Sequence, residues 1–331
     1  MIRILLSNSE HPEISPVSCF FPIENYAETY KDLEAIAIGS ATARDCSVNE
    51  ISGEYPILER LVGSTVNVDE IDYLVKRLES FDKQEVAQFQ GVAISHDIND
   101  VADFINLTFC CQSATVVRDF TDLDIIGKAH YMDVHGGVTE DELNAIDFSK
   151  VALFLIHNED GKVTPFGVVY ENDFEMEQLY DGRYFPEYHY SDSALTVAMT
   201  NSREKAYSCP ATYLYLPMEE CQIERAMLRA GISTYENIQL SIQSSELPVE
   251  LDQILPCGGE SIKELNSLCA GYQALDTHNR QKFRAAIQMA APSELAEAVN
   301  LIKQLDLFDF IPGVFNPEEY GRYMIMESGH F

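Results

Sequence analysis

The chain repeats itself. Moved forward by 194 positions, residues 67–132 meet a second stretch of the same 331-residue chain without a gap. Leu74 falls on Leu268, Asp82 on Asp276 and Phe89 on Phe283. Ala102, Asn106 and Leu107 fall on Ala296, Asn300 and Leu301, Gly127-Lys128 on Gly321-Arg322, and Met132 on Met326. Upstream the offset drifts slightly: Glu54-Tyr55-Pro56 pairs with Glu246-Leu247-Pro248, Pro22-Ile23 with Pro217-Met218, and residues 4–9 with 197–202. A colinear set of this kind predicts one module used twice, over 1–135 and 193–331, with an acidic insert at 136–192. The constraint is strong, because any fold proposed for one copy must also suit the other.

Helix signals recur at the paired positions. Asn67-Val68-Asp69-Glu70 reads as a capping box, and Ser261-Ile262-Lys263-Glu264 as the same device in the second copy. Ile71, Leu74, Val75, Leu78 and Phe81 then follow helical spacing, as do Leu265, Leu268, Cys269, Tyr272 and Leu275. Asp82 and Asp276 read as caps of a second helix. A third helix carries Val101, Phe104, Ile105 and Thr108, matched by Leu295, Ala298, Val299 and Ile302. Strands are expected near 2–7 and 17–22, and each copy ends in a Gly-containing segment, 127–132 or 321–326. Segregated strands and helices predict an α+β fold. In the insert, Val151–Ile156 and Phe166–Tyr170 read as a hairpin across an Asp-Gly turn, forming a β-rich extension of a module or a small middle domain.

Charge narrows the function. The chain has 54 Asp and Glu against 22 Lys and Arg, a net charge of -32. The excess is spread out: about -13 over residues 1–130, -11 over 131–200 and -8 over 201–331. Such a chain is not expected to grip nucleic acid through a basic patch. A basic protein, a cation, a salty cytoplasm or a task of imitating DNA would each suit it. A hydrophobic content of 46% suffices for cores. No apolar run reaches membrane-spanning length. The opening Met1-Ile-Arg-Ile-Leu-Leu6 reads as a strand rather than a signal peptide, so a cytoplasmic protein is expected. Eight Cys without a CxxC pair agree with that and read mostly as buried hydrophobes.

Catalytic and metal signals are sparse, and no cofactor is expected. His130, Asp133 and His135 form the best metal-like cluster. Met324 stands opposite His130, however, and an ordinary strand and turn is the simpler reading. His96-Asp97 could be an acid–base pair, but a helix cap explains Asp97 better. Cys110-Cys111 lacks a His at nucleophile spacing. Gly258-Gly259 precedes a helix but has no P-loop lysine, and Asp97-Ile-Asn-Asp100 lacks the glycine of a calcium loop. A non-enzymatic protein is expected.

The acids themselves remain. Asp69, Asp72, Glu79, Asp82, Glu85, Asp97, Asp100 and Asp103 fall mainly off the apolar stripes of the first copy, and Asp119, Asp122 and Asp124 continue the trend. Glu171, Asp173, Glu175 and Glu177 follow in the insert. The second copy contributes Glu246, Glu250, Asp252, Glu264, Asp276, Glu294, Glu297, Asp306, Asp309, Glu318 and Glu319. For any one of them a solvated helix face is a sufficient explanation; collectively the signs are too one-sided. B-form DNA carries one charge per roughly 1.7 Å of axis, so half of the 54 carboxylates on one side would match roughly 45 Å of duplex.

The opening Met1-Ile-Arg-Ile-Leu-Leu-Ser-Asn8 followed by Cys19-Phe-Phe-Pro-Ile23 resembles the start of ArdA-type antirestriction proteins. So do Glu54-Tyr-Pro56, the segment Val68–Val75, the run Ile238–Pro248 and Glu318-Glu-Tyr-Gly-Arg322, with Asp124-Ile-Ile-Gly-Lys128 as a weaker equivalent of the last. The resemblance spans both copies but not the insert. It implies an elongated, often dimeric protein that imitates bent B-form DNA and occupies the DNA groove of type I restriction–modification enzymes. Two family units in one chain imply a covalent pseudo-dimer in place of, or alongside, a homodimer. The strand that the family fills with acids is diluted here, to Arg44–Glu50 in the first copy and mostly Gln and Ser in the second. The alternatives are an acidic protein–protein interaction module of a mobile element without mimicry, and a metal-dependent enzyme using His130, Asp133 and His135.

Overall fold

Ile2, Ile4 and Leu6 are buried while their neighbours face outward, the alternation that makes the first segment a half-buried strand. The computed structural model describes residues 1–137, 139–189, 192–203, 210–255, 258–314 and 316–326. The elements of the first part are β1 (Ile2–Ser7), β2 (Val17–Phe21), α1 (Tyr26–Ala35), β3 (Cys46–Gly53), β4 (Thr65–Val66), α2 (Val68–Glu79), α3 (Lys83–Ser95) and α4 (Val101–Leu107). There follow β5 (Thr115–Val117), α5 (Leu123–His135), α6 (Glu140–Ala145), α7 (Phe148–Asn158), β6 (Lys162–Thr164) and β7 (Gly167–Tyr170). The remainder is β8 (Leu195–Asn201), β9 (Thr212–Leu216), α8 (Glu220–Arg229), β10 (Ile238–Ser245), α9 (Ile262–Gln273), α10 (Thr277–Ala290), α11 (Leu295–Lys303) and α12 (Pro317–Met326). The fold is α+β. No described helix is long and apolar enough to cross a membrane.

The chain divides into two units. The first comprises Met1–His189 together with Glu219–Gly231, so the 136–192 segment up to His189 belongs to it, as does α8. The second comprises Tyr190–Met218 and Ile232–Phe331.

In the first unit the sheet order is β2-β1-β3-β4, and β1 pairs antiparallel with both β2 and β3. Leu74, Phe89 and Phe104, from α2, α3 and α4, are fully buried, with the Phe89 and Phe104 rings 5.8 Å apart. The expected caps are present: Asn67 accepts from Asp69 N while Glu70 reaches back, and Asp82 accepts from Gln84 N and Glu85 N. A second sheet, β5-β7-β6, lies against α3, where a Cβ added to Gly91 would stand 2.8 Å from Val169. Val117, Ile126, Ala152, Leu155 and Tyr170 form a further core beneath α5 and α7.

Four expectations are corrected here. Val151–Ile156 is not a hairpin strand but the middle of α7. Asp147 caps that helix through Lys150 N, and Phe148, Ala152 and Leu155 make its buried stripe. A short apolar run fits either period, and the packing of this one against α5 selects the helix. The hairpin is instead β6 with β7. Residues 127–135 are likewise helical, within α5; Gly127 lets α7 approach so closely that an added Cβ would lie 1.8 Å from the Phe148 carbonyl oxygen. Asp97 is not a cap but a left-handed residue (φ 53°) beyond α3; Asp100 caps α4 through Ala102 N at 2.8 Å. Ser261 makes no capping bond, because it ends a 3-10 turn (φ -90°, ψ 4°) rather than adopting the extended cap conformation.

The second unit has the sheet order β10-β8-β9; α9 packs against β9, α11 against α9, and α10 against α11. Leu265, Leu268 and Phe283 are fully buried, and Asp276 caps α10 through Asn279 N at 2.8 Å. Two local features recur at positions aligned by the sequence offset, while the caps at Asn67 and Ser261 and the surroundings of Gly127 and Gly321 differ. Asp72 accepts the Ile23 N–H at 2.7 Å, and Asn266 accepts the Met218 N–H at 2.8 Å. The Phe21-Pro22 and Leu216-Pro217 bonds are both cis.

Candidate functional site

Charge is used in two ways in the first unit, once inside and once on the surface. The inner use centres on the N-terminus of α2, where the helix dipole favours anions. Glu70 is 1% exposed and is held by Arg44 at 2.9 Å and by the Tyr180 hydroxyl at 2.9 Å; Arg44 also reaches Asp100 at 2.8 Å. Asp69 is bound by Arg229 at 2.9 Å, Arg225 at 3.1 Å and the Tyr30 hydroxyl at 3.0 Å. Burial, and then the Asp69 charge, push the Tyr30 phenol far above its usual range. The two arginines come from α8, where Arg225 also stacks 4.1 Å over the Tyr30 ring and Arg229 4.4 Å over Phe185. Asp72 is buried, accepting from Ile23 N and from the Tyr26 hydroxyl at 2.6 Å, with Lys76 at 3.1 Å.

Asp69 and Asp72 are therefore not part of an open acidic face, contrary to the sequence expectation. Their side chains complete the core of the first unit, and the reason is the α8 arginines and α1 packed over this end of α2. Glu250 in the second unit is engaged at the surface, by Arg284 at 2.9 Å and by Gln288. Glu171 is engaged by Lys162, Ser95 and His96. Glu85, Asp103 and Glu319 are partly covered.

The other expected acids lie on the surface. Glu79, Asp82, Asp97, Asp119, Asp122, Asp124, Asp173, Glu175 and Glu177 are exposed in the first unit. Glu246, Asp252, Glu264, Asp276, Glu294, Glu297, Asp306, Asp309 and Glu318 are exposed in the second. Several are fixed by local bonds: Asp82 and Asp122 cap α3 and α5, Asp119 accepts from Thr121 N, and Glu297 accepts from Ser293 N. Capping holds a carboxylate at a defined place instead of leaving it to swing in solvent. Sequence reading missed Glu24, Glu28 and Asp32, which are exposed along α1 and the turn before it. Their signal was available as an acid at every fourth residue, close to the helical period of 3.6. By unit, the imbalance is about -24 of the -32 in the first and about -8 in the second.

One open groove, of about 880 Å³, lies in the first unit between α3, α5 and residues 173–177. Asp82, Glu85, Asp173, Glu175 and Glu177 stand on its rim, and Lys128 is the basic residue among its lining. Ile125, Met132, Phe109 and Phe174 supply apolar wall. At the floor, Asp133 accepts from Gln88 at 3.2 Å through one oxygen, while its Oδ2 is buried and unpartnered. Burial raises the Asp133 carboxyl to about 6, against weaker lowering by its hydrogen bonds. His130 contacts the Thr115 hydroxyl at 3.1 Å, and burial lowers its pKa.

His135 instead packs on Tyr131, ring centroids 4.2 Å apart. On a helix, residues two and five apart from their neighbours cannot all point one way. Among the described residues no group of three or more His, Cys, Asp and Glu is arranged to hold a metal ion, and His130, Asp133 and His135 do not converge on one point. Cys110 and Cys111 are buried, and burial raises both thiols away from the reactive thiolate. No protein-family model, no curated protein and no solved structure matches this chain.

Proposed function

We propose that this is an antirestriction protein of the ArdA type, a non-enzymatic mimic of B-form DNA that occupies the DNA-binding groove of a type I restriction–modification enzyme. The observation that carries the reading is the concentration of charge: about -24 on the first unit, much of it on exposed carboxylates anchored at helix caps and turns. Half of that charge on one side would match roughly 20 Å of duplex, about six base pairs. A second copy of the module, or a second chain, would lengthen the match. Paired roles such as those of Asp72 and Asn266, and of Phe89 and Phe283, support reading the chain as a covalent pseudo-dimer. An inhibitor of this kind works where the enzyme meets DNA, so the reading entails a cytoplasmic protein that binds neither nucleic acid nor membrane.

The test is protection. A type I endonuclease incubated with excess protein should fail to cut a duplex carrying its sites. Cutting at the uninhibited rate, at low salt and saturating protein, would reject the proposal. A second reading, an acidic interaction module without mimicry, is favoured by the uneven charge of the two units and by the carboxylates consumed internally at Asp69 and Asp72. Under it the endonuclease is unaffected while a basic protein partner binds.

A further inference from the structure

The groove of the first unit has a property that DNA mimicry does not use. A phosphate backbone has no apolar counterpart, yet α5 turns Ile125 and Met132 outward, 67% and 42% exposed, seven residues apart on one helical face. Both line the groove, as does Phe174 on the facing segment. Around this apolar strip stand the carboxylates of Asp82, Glu85, Asp173, Glu175 and Glu177, with Lys128 as the basic side chain among them. A small cation would leave most of that rim unneutralised and the strip uncovered. The described side chains do not converge on a metal. A volume of about 880 Å³ suits a chain segment entering from the open side.

We infer that this groove docks a basic amphipathic segment of a partner protein, its Leu- or Phe-like side chains covering Ile125, Met132 and Phe174 and its arginines or lysines meeting the rim. Apolar anchors in a groove supply affinity, and the surrounding charge supplies orientation and rate. Because Ile125 and Met132 are already in water, replacing them leaves the core intact.

The test uses the intact protein and labelled peptides about twelve residues long, three helical turns. One peptide carries Leu and Arg at helical spacing, a second has each Leu replaced by Ser, and a third has each Arg replaced by Glu. Fluorescence anisotropy should show micromolar binding of the first, at least about tenfold weaker binding of the second, and none of the third. Ile125→Ser with Met132→Ser should weaken the first peptide at least about tenfold with an unchanged melting temperature. Glu175→Gln with Glu177→Gln should weaken it and reduce its salt dependence, whereas Asp306→Asn with Asp309→Asn in the second unit should not.

Equal binding of the Leu and Ser peptides would overturn the inference, since charge alone would then suffice. So would insensitivity to the Ile125 and Met132 changes, or no binding below about 1 mM. Self-association in sedimentation that the Ile125 and Met132 changes abolish, without peptide binding, would give the groove to a second copy and also overturn it. That double variant keeps every carboxylate, so it should still protect DNA; failure of the mimic and failure of the groove are separately visible.

Discussion

Replacing Asp133 by Asn should stabilise the protein at neutral pH and leave it unaffected, or slightly weaker, in mild acid. The carboxyl sits at the groove floor with Oδ2 buried and without a partner, and burial raises it to about 6 from a usual 3.8. A carboxyl raised on folding contributes stability while protonated, at low pH, and that contribution is lost as pH rises through the folded value. At pH 5 the folded form binds about one more proton at this position than the unfolded form; by pH 7.5 neither binds it. The linkage between those limits is about 1.4 kcal/mol, and about 1 kcal/mol after allowance for solvent in the open groove. The assay is urea unfolding of wild type and Asp133→Asn followed by tyrosine fluorescence, since the chain has no tryptophan. Measurements run from pH 5 to 7.5, above the isoelectric point near 4.4. The stability of the variant relative to wild type should rise by about 1 kcal/mol across that window. A difference that is flat or falls with pH would refute the reasoning, and would mean that Asp133 is charged and satisfied in the folded protein.

Four further substitutions test the units separately. Arg229→Met leaves Asp69 with Arg225 and the Tyr30 hydroxyl, and should cost about 2–4 kcal/mol with faster amide exchange around Asn67 and Glu70. Gly127→Ala should cost about 1–3 kcal/mol by forcing α5 from α7, while Gly321→Ala, with nothing within 4 Å of the new Cβ, should be neutral or stabilising; denaturant midpoints of the two variants distinguish them. Asn266→Asp replaces the amide that donates to the Met218 carbonyl at 2.7 Å, so it should destabilise the second unit by about 1–3 kcal/mol at pH 7, with partial recovery in acid as the new carboxyl protonates.

The parts of the fold that were legible in sequence are those decided by neighbours in the chain. Asn67 and Asp82 cap their helices through bonds reaching no more than three residues, and the stripe Ile71, Leu74, Val75, Leu78 is buried as its spacing requires. Val151–Ile156 was misread because six apolar residues satisfy both periods, and the choice rests on α5, where Gly127 admits the partner helix. The acidic residues divide in the same way. Asp122 and Asp124 lie on the surface, as amphipathic spacing suggests. Asp69 was read as open because its arginines stand 156 and 160 residues away, on a helix that the chain returns to the first unit. The groove had no local signature at all: Ile125, Asp82 and Glu175 meet only through tertiary structure.

The central claim is that the charge of this chain stands in for DNA. A labelled duplex bound to a type I restriction–modification enzyme, titrated with this protein while anisotropy is read at about 50 and 200 mM salt, tests it most directly. The duplex should be displaced fully at the lower salt, and the required protein concentration should rise steeply with salt. A duplex that stays bound at low salt, or a displacement indifferent to salt, would contradict it.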